Sequence, residues 1–250
     1  MTTPSSTKKA TLIALLAVSA LAVAWFSLGL YMWTQAFGIN STRDCYPELR
    51  RNRPWNYTWI DNGSDCPPLY HSLNETKLLS PFRTTPFRTE TVRFKSRDPE
   101  WVASGSGNLV GTLLLQPLIN ETSRFIIVVH GTETCRFTYQ SLEPGSMLYE
   151  MGYNTLLIDL RNHGDSDVYE VNPYVSFGYY EHRDVLGALD YLKERFSFLR
   201  RTNSVGLYGS SMGAGTVLIA FAVEQHFQYV FADSPPVGLQ YFIVYNMFFK

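Results

Sequence analysis

The residues best suited to chemistry lie at the ends of three short apolar runs. Ser204 to Tyr208 (SVGLY) leads into Gly209-Ser210-Ser211-Met212-Gly213, followed by Ala214-Gly215 and a long apolar stretch. A G-x-S-x-G pattern between a strand and a helix brings two backbones close together, which its glycines allow. It also projects the middle hydroxyl from a tight turn over a helix N-terminus, where developing negative charge is stabilised. The middle serine is Ser211, which makes Ser211 the candidate nucleophile and excludes Ser210. Two more polar turns follow apolar runs: His130-Gly131 after Arg124 to Val129, and Asp159-Leu160-Arg161-Asn162-His163-Gly164-Asp165-Ser166. Asp233 ends a last short run in Ala232-Asp233-Ser234-Pro235-Pro236.

The elements that must carry these turns are readable from periodicity. Thr91 to Phe94 alternates as a half-buried strand, and Leu109 to Leu115 (LVGTLLL) gives a second. Arg124 to His130, Asn154 to Leu160, Ser204 to Tyr208 and Tyr229 to Ala232 are short runs rich in β-branched and apolar residues, as in parallel strands buried on both faces. Between them Val185, Leu186, Leu189, Leu192 and Phe196 repeat with a helical period, and Met212 to Phe227 reads as a second helix. Alternating strands and helices predict an α/β fold with a mostly parallel sheet, whose ligands bind beyond the carboxyl ends of the strands.

These motifs, in this order, resemble the α/β-hydrolase superfamily, and within it the serine-aminopeptidase-like and monoacylglycerol-lipase-like branch. The loop from Asp159 is similar to that family's D-x-R-G-H-G-x-S segment, with Asn162 where glycine is usual. The likeness covers roughly Glu90 to Lys250. It implies acyl transfer through Ser211 with no cofactor and no metal. The oxyanion would be held by the backbone N–H groups of Met212 and Thr132. His130 and His163 are then loop-holding residues, and Glu133, Cys135 and Arg136 either line an acyl or leaving-group site or form loop surface. The family's acid and base follow the serine in the chain. Asp233 is the acid candidate, with a structural role as the competing reading. The only later histidine, His226, falls near the end of the elbow helix and should point away; His182 reads as a capping residue. The base therefore has no candidate. The domain is expected to be truncated after its sixth strand, leaving Tyr229 to Ala232 as an uncovered apolar edge.

Charge is distributed unevenly. The 250-residue chain has formal net charge −1 and 45% hydrophobic residues, which excludes an electrostatically driven nucleic-acid binder and a disordered chain. Residues 10–33 contain no charge, follow Lys8 and Lys9, and are long enough as a helix to cross a hydrocarbon core of roughly 30 Å. They read as a transmembrane signal anchor, the alternative being a signal peptide cleaved near Ala22-Val23-Ala24. Residues 1–9 would be cytoplasmic, 34–85 a lumenal stalk and 86–250 the partial hydrolase domain of a single-pass type II protein. Acceptor tripeptides for N-glycosylation begin at Asn40, Asn56, Asn62, Asn74 and Asn120. Cys45 and Cys66 are expected to form a disulfide, with Cys135 left as a buried apolar side chain.

The combined expectation is a membrane-anchored serine hydrolase, or a fragment of one, facing the lumen or the cell exterior. Its substrate would be a small-molecule or lipid ester, thioester or amide; a non-catalytic binding protein and a pure structural anchor are the other readings. The sequence leaves the oligomeric state and the secretory compartment open.

Overall fold

The computed structural model describes residues 19, 21–31, 88–132 and 134–236. In chain order the domain contains β1 (Arg88–Lys95), α1 (Pro99–Ala103), β2 (Asn108–Leu115), β3 (Phe125–Val129), α2 (Tyr139–Glu150), β4 (Asn154–Asp159) and α3 (His182–Arg195). A 3-10 turn (Ser197–Arg200), β5 (Val205–Ser210), α4 (Met212–Val223) and β6 (Phe227–Asp233) complete it.

The six strands form one sheet in the order β1-β2-β4-β3-β5-β6. Pairings of β3 with β4, β3 with β5 and β5 with β6 are parallel, while β2 runs against both β1 and β4. The near-complete burial of β2 on both faces explains why hydropathy does not reveal its direction.

Side chains alternate across the sheet with the period of two that extended backbone imposes. Ile126, Val128 and Leu157 pack with Leu142 and Tyr149 of α2 on one face. Phe125, Ile127, Val129, Leu156 and Ile158 join Val185, Leu189, Leu192 and Val217 of α3 and α4 on the other. After β3 the chain turns outward to β4, and it later returns to β5 on the opposite side of β3. The loops after β3 and β5 therefore diverge at a switch in strand order, where open α/β sheets bind ligands.

The two expected helices are present, but α4 stops at Val223, four residues before Phe227. Glu224 is already extended (φ −128°, ψ 114°) and its carboxylate is held by Arg97 and His226, releasing Phe227 into β6. β6 lies at one edge of the described sheet, with Phe231 64% exposed. Among the described residues no helix is long and apolar enough to cross a membrane. Helical residues 21–31, all exposed, belong to the expected span 10–33, the rest of which lies outside the described residues apart from Ser19.

Candidate active site

Ser211 sits between the last residue of β5 and the first of α4, with φ 53° and ψ −117°. A non-glycine residue there is strained, and the surroundings must enforce it. They do so through backbone bonds: Ser211 N–H donates to Asp233 C=O (2.9 Å), and Ser211 C=O accepts Ala214 N–H (3.0 Å). The flanking glycines permit the close approach. A Cβ on Gly209 would overlap the Gly213 carbonyl, and one on Gly213 would overlap the carbonyls of Val129 and His130. Met212, fully buried, opens α4, so its N–H belongs to the unpaired donors of a helix N-terminus.

The loop after β3 lies directly against the elbow. A Cβ built on Gly131 would stand 3.2 Å from Ser211 Cβ. Thr132 follows, half-buried, with an Oγ1 that is buried and has no hydrogen-bond partner. The loop that carries Gly131 and Thr132 thus lies against Ser211, with Met212 next to it in the chain. Asp233 adjoins them through its main chain. Its carboxylate accepts from Tyr208 Oη (3.2 Å) and Ser234 Oγ (2.9 Å), and burial together with the Asp233 charge pushes the Tyr208 phenol up.

The loop is anchored from below. His130 donates from Nδ1 to Gly131 C=O (2.6 Å) and accepts Leu160 N–H at Nε2 (3.2 Å), which fixes a neutral tautomer. Its complete burial, with His163 and Arg136 nearby, holds its pKa well below the usual imidazole value. The His163 ring lies 4.8 Å from that of His130. Its Nδ1 bonds Arg161 C=O (2.8 Å), while Nε2 is buried and unpartnered. His182 bonds Gly178 C=O, and His226 pairs with Glu224 beyond the far end of α4. The hydrogen bonds of all four described imidazoles thus go to groups other than Ser211.

Two expectations for this loop need correction. Arg136 does not line a substrate site: it is 3% exposed and binds Asp159, Asp165 (2.7 Å) and Thr112 (3.1 Å). Its guanidinium neutralises a carboxylate that also accepts Arg136 N–H (2.8 Å) and Asp165 N–H (2.9 Å), so the two loops are tied together. Cys135 is not an unpaired thiol but disulfide-bonded. The chain has only two other cysteines, Cys45 and Cys66, both outside the described residues. The expected Cys45–Cys66 disulfide therefore falls outside the described residues.

Asn162, where the resembled motif has glycine, has φ 64°. Asparagine tolerates that conformation, and here its side chain also accepts Tyr169 N–H (2.7 Å) and donates to Asn172 C=O (3.2 Å). Sequence reasoning did not single out Gln140, whose Oε1 accepts Gly131 N–H at 3.0 Å; a lone glutamine one residue into a helix carries no pattern. Asn120 lies on an exposed turn before β3, at the opposite end of the sheet from Ser211. Asn40, Asn56, Asn62 and Asn74 lie outside the described residues. Among the described residues no group of His, Cys, Asp or Glu is gathered to hold a metal.

No family model matches the chain. A curated relative, the uncharacterized protein YqkD of Bacillus subtilis, is 30% identical over 100 residues, covering 40% of this chain and 30% of its own. Among solved structures, the Pyrococcus furiosus esterase Pf2001 is 25% identical with a TM-score of 0.50, over 66% of this chain and 56% of the esterase. Another crystal form of that esterase gives 24% identity and a TM-score of 0.51. The chain therefore spans about half the length of the solved esterase it matches, and less than a third of the curated relative.

Proposed function

The chain belongs to the α/β-hydrolase superfamily, and on that premise we propose that it is a serine hydrolase with Ser211 as the nucleophile. The observation that carries this reading is the strained Ser211 backbone at the mouth of α4, with the Gly131–Thr132 loop packed against it. Strain of this kind persists where the position of a side chain matters.

In the proposed reaction Ser211 Oγ attacks an ester, thioester or amide carbonyl and gives its proton to a base. The carbonyl oxygen becomes an oxyanion held by the N–H groups of Met212 and Thr132. The tetrahedral species collapses with expulsion of the protonated leaving group, and water then hydrolyses the acyl-serine by the same steps. Each oxyanion donor contributes roughly 2.7–4 kcal/mol in comparable sites. Because none of the four described imidazoles bonds Ser211, the proton acceptor is assigned to a group outside the described residues.

The test is labelling of the full chain with a fluorophosphonate probe. Labelling should fall on Ser211 and vanish in Ser211→Ala. A wild-type chain that stays unlabelled would instead favour a non-catalytic binding protein, which the lack of an imidazole bond to Ser211 among the described residues also supports.

We further propose that residues 10–33 anchor the chain in a membrane with its hydrolase domain lumenal or extracellular. The uncharged stretch after Lys8 and Lys9, the exposed acceptor at Asn120 and the disulfide at Cys135 support that placement. The tether favours lipid or other acyl substrates. Expressed in a eukaryotic cell, the protein should resist alkaline extraction and gain mobility after endoglycosidase treatment, with one fewer glycan in Asn120→Gln. Full release by alkali, with no mobility change, would refute the anchor and the lumenal placement.

A further inference from the structure

The loop after β3 offers two neighbouring amides to the elbow, Gly131 N–H and Thr132 N–H, and one side chain decides between them. Gln140, on the first turn of α2, is half-buried and turned back toward the loop. Its Oε1 accepts Gly131 N–H at 3.0 Å and lies 3.3 Å from the Thr134 hydroxyl. The donor at Gly131 is a backbone amide, which requires an oxygen opposite it and so fixes which end of the Gln140 amide faces the loop. On the other side of the same residue, Gly131 C=O is taken by His130 Nδ1–H (2.6 Å) and by the Thr134 hydroxyl (3.0 Å). A trans peptide directs the C=O of one residue and the N–H of the next in opposite senses. With Gly131 C=O held against His130, Thr132 N–H must point away from that ring.

Gly131 is wedged between these partners. A Cβ on it would crowd both Gln140 Oε1 (2.6 Å) and Ser211 Cβ (3.2 Å), so no other residue could bring the loop this close to the elbow. We propose that Gln140 is a positioning residue. Its Oε1 engages Gly131 N–H and fixes the next peptide, so that Thr132 N–H is the donor this loop presents to the oxyanion. The role rests on the serine-hydrolase reading above. Gln140 acts through the loop and does not itself touch the reacting atoms.

Two measurements on the full chain test it, one independent of activity. Amide hydrogen exchange should show Gly131 protected in the wild type and at least tenfold less so in Gln140→Ala, with Val128 and Val129 unchanged. Gln140→Glu, which keeps an acceptor oxygen, should retain the protection. Fluorophosphonate labelling of Ser211 should slow about ten- to a hundredfold in Gln140→Ala, the scale expected when a reacting group is displaced by about 1 Å. It should be restored in Gln140→Glu. Unchanged Gly131 exchange in Gln140→Ala would overturn the proposal, as would labelling at the wild-type rate or a Glu variant as slow as the Ala variant. If the wild type does not label while Gly131 exchange still responds, the hydrolase reading fails and the donor role fails with it, leaving a loop-holding contact only.

Discussion

Arg161 is 1% exposed, yet it carries a full charge into the domain. Two carboxylates compensate it: Asp184 (2.7 Å from Nη2) and Asp98 (2.9 Å from Nη1). Ser96 Oγ accepts a further bond, and the guanidinium lies 4.8 Å from the Trp101 ring. This cluster joins the loop after β4 to the end of β1 and the first turn of α3, and so supports the ground on which His163 and His130 stand. Removing one member strands buried charges of the other sign. Arg161→Met should therefore cost about 3–5 kcal/mol in a urea unfolding titration. The exposed pair Arg201–Glu121 should show no measurable change on Arg201→Ala. An Arg161→Met chain as stable as the wild type would mean that the cluster does not hold these loops. The arginine was visible in the sequence as a motif position, but its partners were not. Asp98 and Asp184 lie 63 and 23 residues away from it, and no local pattern connects them.

At the scale of elements, the decisive contact is between the first turn of α4 and the end of β3. Gly213 leaves no room for a Cβ beneath the Val129 and His130 carbonyls, whereas Gly215, two residues on, meets nothing nearer than 3.7 Å. The pair makes a controlled test. Gly213→Ala should destabilise the domain by about 3 kcal/mol, at the upper end of ordinary overpacking, because the obstacle is backbone and cannot rotate away. Gly215→Ala should be neutral or stabilising by up to about 1 kcal/mol, the intrinsic helix preference of alanine over glycine. Equal effects in denaturant titrations would contradict the elbow packing. The strands were legible because their apolar runs are short and bounded by turn residues. The helix α2 was not: YQSLEPGSMLYE contains Pro144 and Gly145 and has little amphipathic pattern. It forms because tertiary packing overrides propensity, with Gly145 letting Leu157 of β4 press against the helix backbone.

For the molecule as a whole, the disulfide at Cys135 is a covalent constraint on the loop beside the elbow. A disulfide restricts the unfolded chain, and a stabilisation of about 2–4 kcal/mol is typical. Reduction with a dithiol should lower the unfolding midpoint accordingly. Cys135→Ser should show the lowered stability already and respond no further. Peptide mapping without reduction will identify the partner of Cys135. Alkylation of Cys135 in the unreduced, unfolded protein would instead refute the bond.

Sequence alone determined what depends on local chemistry. It located the strand ends, the glycine-flanked serine at Ser211 and the two polar turns at His130 and Asp159, because each is written within a few consecutive residues. It also pointed to Met212 and Thr132, through the resemblance those residues support. Tertiary structure decided everything that joins distant residues. It put Gln140 on Gly131, turned Arg136 inward to Asp159 and placed Cys135 in a disulfide. It also set β2 against its neighbours. Hydrogen bonds, ion pairs and disulfides form according to proximity in space, which hydropathy and spacing along one chain do not encode.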